Sequence, residues 1–224
     1  GSEMCIRDSL HRRHPRLTME VPSVSHVTLK IALHGTDISR TVVVPGDWKM
    51  KALHKVIQAA LGWEGEHLWS FEYGKTLSIM PDDWEPPFDD LALFSLFREP
   101  HQYKPAERLT IRECLPEKGA KLEYRYDSWK HRITRMTDPK VAEVACVRTQ
   151  GLMPTEDING PYALMRLAYL LKAYDANPKV ELDATDAELL DWYGSYKEER
   201  VRKAFLRAPT KEDITERLRA AVGR

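Results

Sequence analysis

Cysteine is scarce in this chain of 224 residues: there are three, Cys5, Cys114 and Cys146, and none stands in CxxC spacing. An odd count without paired spacing argues against a disulfide framework and against a structural zinc site. A reducing, cytoplasmic setting is the expectation. Long hydrophobic runs are missing too. Stretches such as Ala59–Leu61 fall far short of the roughly 20 residues that span a bilayer, so no membrane partner is expected. No basic-then-apolar segment opens the chain, and no secretory leader is expected. Excess charge of either sign is absent, since 34 Lys+Arg meet 34 Asp+Glu. Such a chain is not a polycation that coats nucleic acid through bulk charge. GxGxxG, P-loop, HExxH and GxSxG patterns are all missing, which disfavours dinucleotide enzymes, Walker NTPases and α/β-hydrolases.

What the chain does have is an ordinary globular composition, with 42% hydrophobic and 30% charged residues and ample aromatic material for a core. The first eighteen residues stand apart. Gly1-Ser2 looks like a tag-cleavage scar, and EMCIRDS (residues 3–9) resembles a translated sequencing-adapter peptide. Residues 1–18 are therefore read as a tag-like, adapter-like or disordered tail, and Met19 as a plausible start. The basic run Arg12-Arg13-His14-Pro15-Arg16 would otherwise suggest a nucleic-acid arm.

From Ser25 to Leu33, Val27, Leu29 and Ile31 alternate with polar partners, the pattern of a half-buried strand. A turn at His34–Asp37 leads to a β-branched strand over Ser39–Val44. Pro45-Gly46-Asp47 breaks it, with Asp47 as N-cap of a helix. Leu53, Val56, Ile57, Ala60 and Leu61 give that helix its apolar stripe, and Gly62 ends it. A hairpin feeding one helix predicts a β-grasp-like α+β fold, a mixed sheet packed with helices. Further strands are expected at His67–Tyr73, Arg108–Ile111, Lys121–Tyr126 and Lys130–Met136, and a Pro-rich acidic loop over Pro81–Asp90. After Asp138-Pro139 the pattern turns helical. Pro161 opens a helix through Tyr174, Thr185 has capping-box spacing, and Thr210 with Asp213 opens a last helix. No internal repeat is visible. The predicted organisation is an α+β core over 19–140 and a helical C-terminal region over 141–224 packed on it.

The segment VVVPGDWKMKALHKVIQAALGWEGEHLWSFEYG carries a resemblance. It is similar to the shared block of the plasmid pRiA4b ORF-3-like family, matching at Leu53, His54, Ile57, Gln58, Gly62, Trp63, His67, Leu68 and Phe71. A second family motif, Y-x-YDFGD-x-W-x-H-x-I, appears shortened as Tyr124-Arg125-Tyr126-Asp127-Ser128-Trp129-Lys130-His131-Arg132-Ile133, without Phe-Gly-Asp. A third, C-x-G-x-x-x-C-PPED-C-GG-P, survives as Cys146 and then Met153 to Pro161, with Met153 and Ile158 where cysteines often sit. The resemblance spans roughly residues 25 to 220. It implies an α+β module encoded on plasmids and other mobile elements, and it attaches no secure activity.

Four residues are the catalytic candidates: His54, His67, Asp127 and His131. Imidazoles and a carboxylate of this kind could ligate one divalent metal and leave a position for water. The alternative is that the histidines are hydrogen-bonded anchors beside Trp63, and no resident cofactor or metal is expected. In the acidic loop, Asp82, Asp83, Glu85, Asp89 and Asp90 read as solvated, with Trp84 and Phe88 as candidate partner anchors. Glu156-Asp157 reads as a helix-start acid pair, with acid–base work as the alternative. Cys114 and Cys146 read as core thiols.

Two basic stretches are candidates for binding nucleic acid or a partner. One is Arg125, Trp129, Lys130 and Arg132, interleaved with tyrosines as a stacking and phosphate face. The other is Arg200, Lys203 and Arg207 as one helical stripe, against a solvated surface balanced by Glu198 and Glu199. The leading expectation is a non-catalytic binding module of a mobile-element or phage-like system with a protein or nucleoprotein partner. A metal-dependent hydrolase or nuclease and a DNA-binding regulator are the alternatives.

Overall fold

The computed structural model describes residues 25–85, 102–139 and 142–223. In chain order these hold β1 (His26–Leu33), β2 (Ser39–Pro45), α1 (Met50–Leu61), β3 (Trp69–Tyr73), β4 (Leu77–Met80), β5 (Gln102–Pro105) and α2 (Ile111–Cys114). There follow β6 (Lys121–Tyr126), β7 (Trp129–Arg135), β8 (Ala145–Gln150), α3 (Pro161–Ala176), α4 (Ala184–Tyr193), α5 (Glu199–Leu206) and α6 (Lys211–Val222). The strands form one sheet in the order β5-β4-β3-β6-β7-β1-β2-β8. Every neighbouring pair is antiparallel except β4 with β5. The class is α+β, and the opening hairpin followed by a helix is as expected.

Register explains where the core sits. Leu29 lies opposite Arg135 and Val42, and Ile31 opposite Ile133. Tyr124 lies opposite His131 and Phe71, and Tyr126 opposite Trp129 and Trp69. Facing residues in an antiparallel sheet share a side, so these side chains line one continuous apolar face. The alternate residues Lys30, Lys121, Arg125, Lys130 and Arg132 are exposed on the other side. Helix α1 lies on the apolar face and buries Leu53, Val56, Ile57, Ala60 and Leu61 almost completely. Gly62 ends the helix with φ 75°, its N–H bonding back to the carbonyl of Gln58. That left-handed conformation suits glycine, which has no Cβ to clash. Helix α6 packs beside α1 and β8, tied by a Thr215 Oγ1 that accepts from Cys146 N at 3.0 Å.

Several boundaries differ from the sequence reading. The N-cap of α1 is Lys49, without a side-chain bond, and Asp47 stays in the preceding turn. Residues 108–111 are no strand: Thr110 and Glu113 close a capping box and start α2, a local bond pattern that outcompetes the β-branched signal. The expected helical region begins with strand β8, which β2 recruits as an edge partner. Asp183, not Thr185, caps α4, accepting from Asp186 N. The Thr210–Asp213 box is present as read. Phe88, Asp89, Asp90 and residues 1–18 lie outside the described residues. Among the described residues, no helix is long and apolar enough to cross a membrane.

Two buried arginines lock this frame. Arg40, on the inward row of β2, is fully buried. It donates to the carbonyls of Ser39 (3.0 Å), Gln150 (2.5 Å) and Leu152 (2.7 Å), holding the end of β8. Burial pushes its pKa down to about 10, so it remains charged at neutral pH. Arg135 donates to Leu115 O (2.8 Å) and Pro116 O (2.6 Å) and fastens the end of α2. Arg40→Leu leaves the carbonyls of Gln150, at the end of β8, and of Leu152 without this donor. A buried unsatisfied group costs about 1–3 kcal/mol, so urea unfolding is expected to show a loss of about 3 kcal/mol. An unchanged midpoint would show that β8 does not depend on this arginine.

Candidate functional site

The matching residues of the sequence block converge between α1, the start of β3 and the β6–β7 hairpin. His54 and Gln58 stand one turn apart on α1 and reach the same phenol. His54 Nδ1 and Gln58 Nε2 both lie 2.7 Å from Tyr124 Oη. Gln58 N–H donates to the hydroxyl. A neutral His54 that accepts the phenol proton at Nδ1 then leaves neither group wasted. The His54 ring stacks on Trp69, centroids 4.3 Å apart and 11° from parallel. Desolvation lowers its pKa to about 4, and it stays neutral near pH 7.

His131 is deeper, fully buried on β7. Its Nδ1–H donates to Tyr124 O at 3.3 Å, which fixes the tautomer, and desolvation lowers its pKa to about 3. His131 Nε2 and Gln58 Oε1 are buried without a hydrogen-bond partner. Trp63 fills the space beside them, stacked near Tyr126 (5.3 Å) and edge-on to His131 (5.4 Å).

The segment after β8 closes the cluster. Trp63 Nε1 donates to Pro154 O (3.0 Å), and Trp129 Nε1 to Glu156 O (2.9 Å). The Glu156 carboxylate accepts from Glu64 N (2.8 Å), from Gly65 N (3.3 Å) and, closely, from the Tyr126 hydroxyl. Beside it, His67 Nε2 donates to Asp157 Oδ1 at 2.9 Å. Asp157, with the charges of Asp127 and Glu156, raises the His67 pKa. Glu156 and Asp157 thus accept from the α1–β3 loop and His67, not from the start of α3, whose N-cap Gly160 offers no side chain. That corrects the helix-cap expectation. The pair works as a clasp.

The four catalytic candidates do not gather on one point. His54 and His131 are buried behind aromatic rings, whereas His67 and Asp127 are exposed. Asp127 sits at the tip of the two-residue β6–β7 loop with φ 47°, where the missing Phe-Gly-Asp would have extended the turn. Among the described residues, no group of three or more His, Cys, Asp and Glu side chains is placed to hold a metal ion.

The interleaved stacking face is also corrected. Tyr124, Tyr126 and Trp129 are fully buried, because strand alternation sends them inward while Arg125, Lys130 and Arg132 point out. Trp129 therefore has no ring face to offer a ligand. Nor do Arg200, Lys203 and Arg207 form one stripe. Helix α5 ends at Leu206, and Arg207 continues in extended backbone. Arg200 pairs with Glu198 at 3.0 Å and Lys203 closely with Glu199. In the acidic loop, Asp82 accepts from Glu107 N at 3.2 Å, and Trp84 packs on Tyr103 with centroids 4.8 Å apart. Cys114 and Cys146 are buried free thiols. The sequence reading missed the clamping role of Arg40 and Arg135. Its trace is legible: each falls on the inward row of an otherwise apolar alternation.

Helix α1 is thus bonded through His54 and Gln58 to a core tyrosine, and the loop after it is clasped by an acidic pair. The profile of the plasmid pRiA4b ORF-3-like protein family matches residues 25–204, and the chain belongs to that family. It is similar to the uncharacterized protein y4hQ of Sinorhizobium fredii (strain NBRC 101917 / NGR234), 31% identical over 182 residues, covering 76% of this chain and 82% of that one. It also resembles the crystal structure of a protein of unknown function, MM3350, from Methanosarcina mazei Go1. There the TM-score is 0.53 at 20% identity, over 76% of this chain and 90% of that one, a likeness of fold.

The buried histidines predict an acid limb of stability. Both are held neutral where the unfolded chain, with its histidines near 6.5, takes up protons. Their contribution is full above about pH 6.5 and is lost as pH falls toward 4 and then 3. At pH 5 the expected slope approaches two protons, about 3 kcal/mol per pH unit. His54→Gln should remove about half of that slope in urea titrations between pH 6.5 and 5. His67 acts with the opposite sign, its exposed pair fading as pH rises through the raised value. A pH-independent midpoint across this window would contradict the burial of both rings.

Proposed function

We propose that this protein is a non-catalytic binding module that recognises a protein or nucleoprotein partner through its surface. The observation that carries this reading is how the matching block uses its chemistry. Apart from Gln58 Oε1 and His131 Nε2, the polar groups of His54, Gln58, Tyr124, Tyr126, His67, Glu156 and Asp157 make hydrogen bonds to one another or to the backbone. Such a cluster builds a rigid body, and recognition falls to the outside.

The outside has suitable anchors. On α3, Tyr162, Met165 and Tyr169 are 83%, 41% and 60% exposed and recur at helical spacing. Arg166 lies over the Tyr169 ring at 5.2 Å. Tyrosine, methionine and arginine are the residue types enriched at recognition surfaces. The family description, which names a plasmid, supports a mobile-element setting, and two buried free thiols support a cytoplasmic one.

Affinity capture from host lysate separates this reading from a metal-dependent hydrolase. The wild type and His67→Ala are expected to retain the same partner, and Tyr162→Ala/Tyr169→Ala to lose it by tenfold or more. A metal-dependent hydrolytic activity that disappears in His67→Ala would overturn the proposal.

A further inference from the structure

The basic residues that the strands turn away from the core are exposed, although Thr28, Ser39 and Val43 on the same sheet face are buried. The register puts the basic residues in rows. A register shift between Thr41 and Val42 brings Arg148 on β8 opposite Thr41, which faces Lys30, which faces Thr134, which faces Lys121. Strands lie about 4.8 Å apart, so Arg148, Lys30 and Lys121 form a line of cations at intervals of about 10 Å across five strands. In the next rows stand Arg132, then Lys130 beside Arg125. Two acids share the centre of this face. Glu123 is paired with Arg132 at 3.5 Å and Glu72 with Arg125 at 3.6 Å. Lys30, Lys121, Lys130 and Arg148 have no ion pair among the described residues. The floor between them is small: Ala32, Thr41 and Thr134.

We propose that this open face binds a single strand of nucleic acid through its phosphates, with Arg148, Lys30 and Lys121 as the central line and Lys130 and Arg132 beside it. Several features favour that occupant. A neutral chain has gathered unpaired cations on one side, and evenly spaced cations complement an evenly charged polymer. The centre of the face offers no large apolar anchor of the kind a protein interface needs. It also lacks a helix or ribbon to enter a duplex groove, whereas a flexible strand can follow a twisted sheet. The aromatic side chains of β6 and β7 point into the core, so base stacking contributes nothing and base identity should not matter. This assignment rests on the binding-module reading and names its partner class.

The test is fluorescence anisotropy with labelled oligo-dT, oligo-dA and a duplex of equal length. With three or four phosphates neutralised, single-strand affinity is expected to fall about 30-fold between about 50 and 200 mM salt. Oligo-dT and oligo-dA should bind alike and both more tightly than the duplex. Lys30→Glu/Lys121→Glu/Arg148→Glu should lose tenfold or more with an unchanged thermal midpoint, and Arg200→Glu/Lys203→Glu should bind as the wild type does. Because the substituted residues are exposed, the midpoint also checks that the variant folds. Four results would overturn the proposal: no binding at low salt, binding that the triple variant keeps, a strong base preference, or tighter binding to the duplex. Flat curves remove nucleic acid and leave the module reading to the Tyr162/Tyr169 capture. Metal-dependent turnover lost in His67→Ala removes the module reading itself.

Discussion

The phenol of Tyr124 is the point from which the rest of the molecule is held. It is fully buried in the middle of the sheet, where an unpaired hydroxyl would be costly. His54 and Gln58 satisfy it from a single turn of α1, and in doing so fix how that helix sits on the sheet. Hydrophobic burial alone would drive α1 onto the apolar face but would tolerate sliding, because apolar contact has no direction. Two hydrogen bonds to one atom do have direction. They set the rotation of α1, the rotation sets the exit of the chain at Gly62, and that exit places Trp63 and His67 where Pro154, Glu156 and Asp157 can reach them.

The same logic explains why the recurring polar residues of this chain look catalytic in sequence. A histidine, a tyrosine and a paired acid brought close together are the materials of acid–base chemistry. Here desolvation keeps His54 and His131 neutral and pushes the Tyr124 phenol up. The groups that remain wet, His67 with Asp157, bond to each other. Directional bonds of this kind favour one arrangement of a core over its alternatives.

Much of this was legible in the residues. The hairpin, α1 and the β6–β7 pair follow from clean alternation and a 3.6-residue stripe, and the resemblance led directly to His54, Gln58, Trp63 and His67. Three things were not legible, each for a physical reason. Strand β8 is short and wet on one side, and it exists because β2 offers an edge. The destination of Glu156 depends on a contact some ninety residues away along the chain, which no local pattern encodes. The separation of Arg125, Lys130 and Arg132 from the aromatics was available in the period of two, but reading the stretch as one surface mixed the two faces of the sheet.

The central claim is that these motif positions hold the fold together. Equilibrium urea unfolding of Tyr124→Phe, His54→Leu and the double variant tests it most directly. Removing the hydroxyl strands buried polar partners, so the account predicts a loss of about 2–3 kcal/mol for Tyr124→Phe. The double variant should lose clearly less than the sum of the singles, because both remove the same bond. A Tyr124→Phe protein as stable as the parent, or strictly additive losses, would contradict the account.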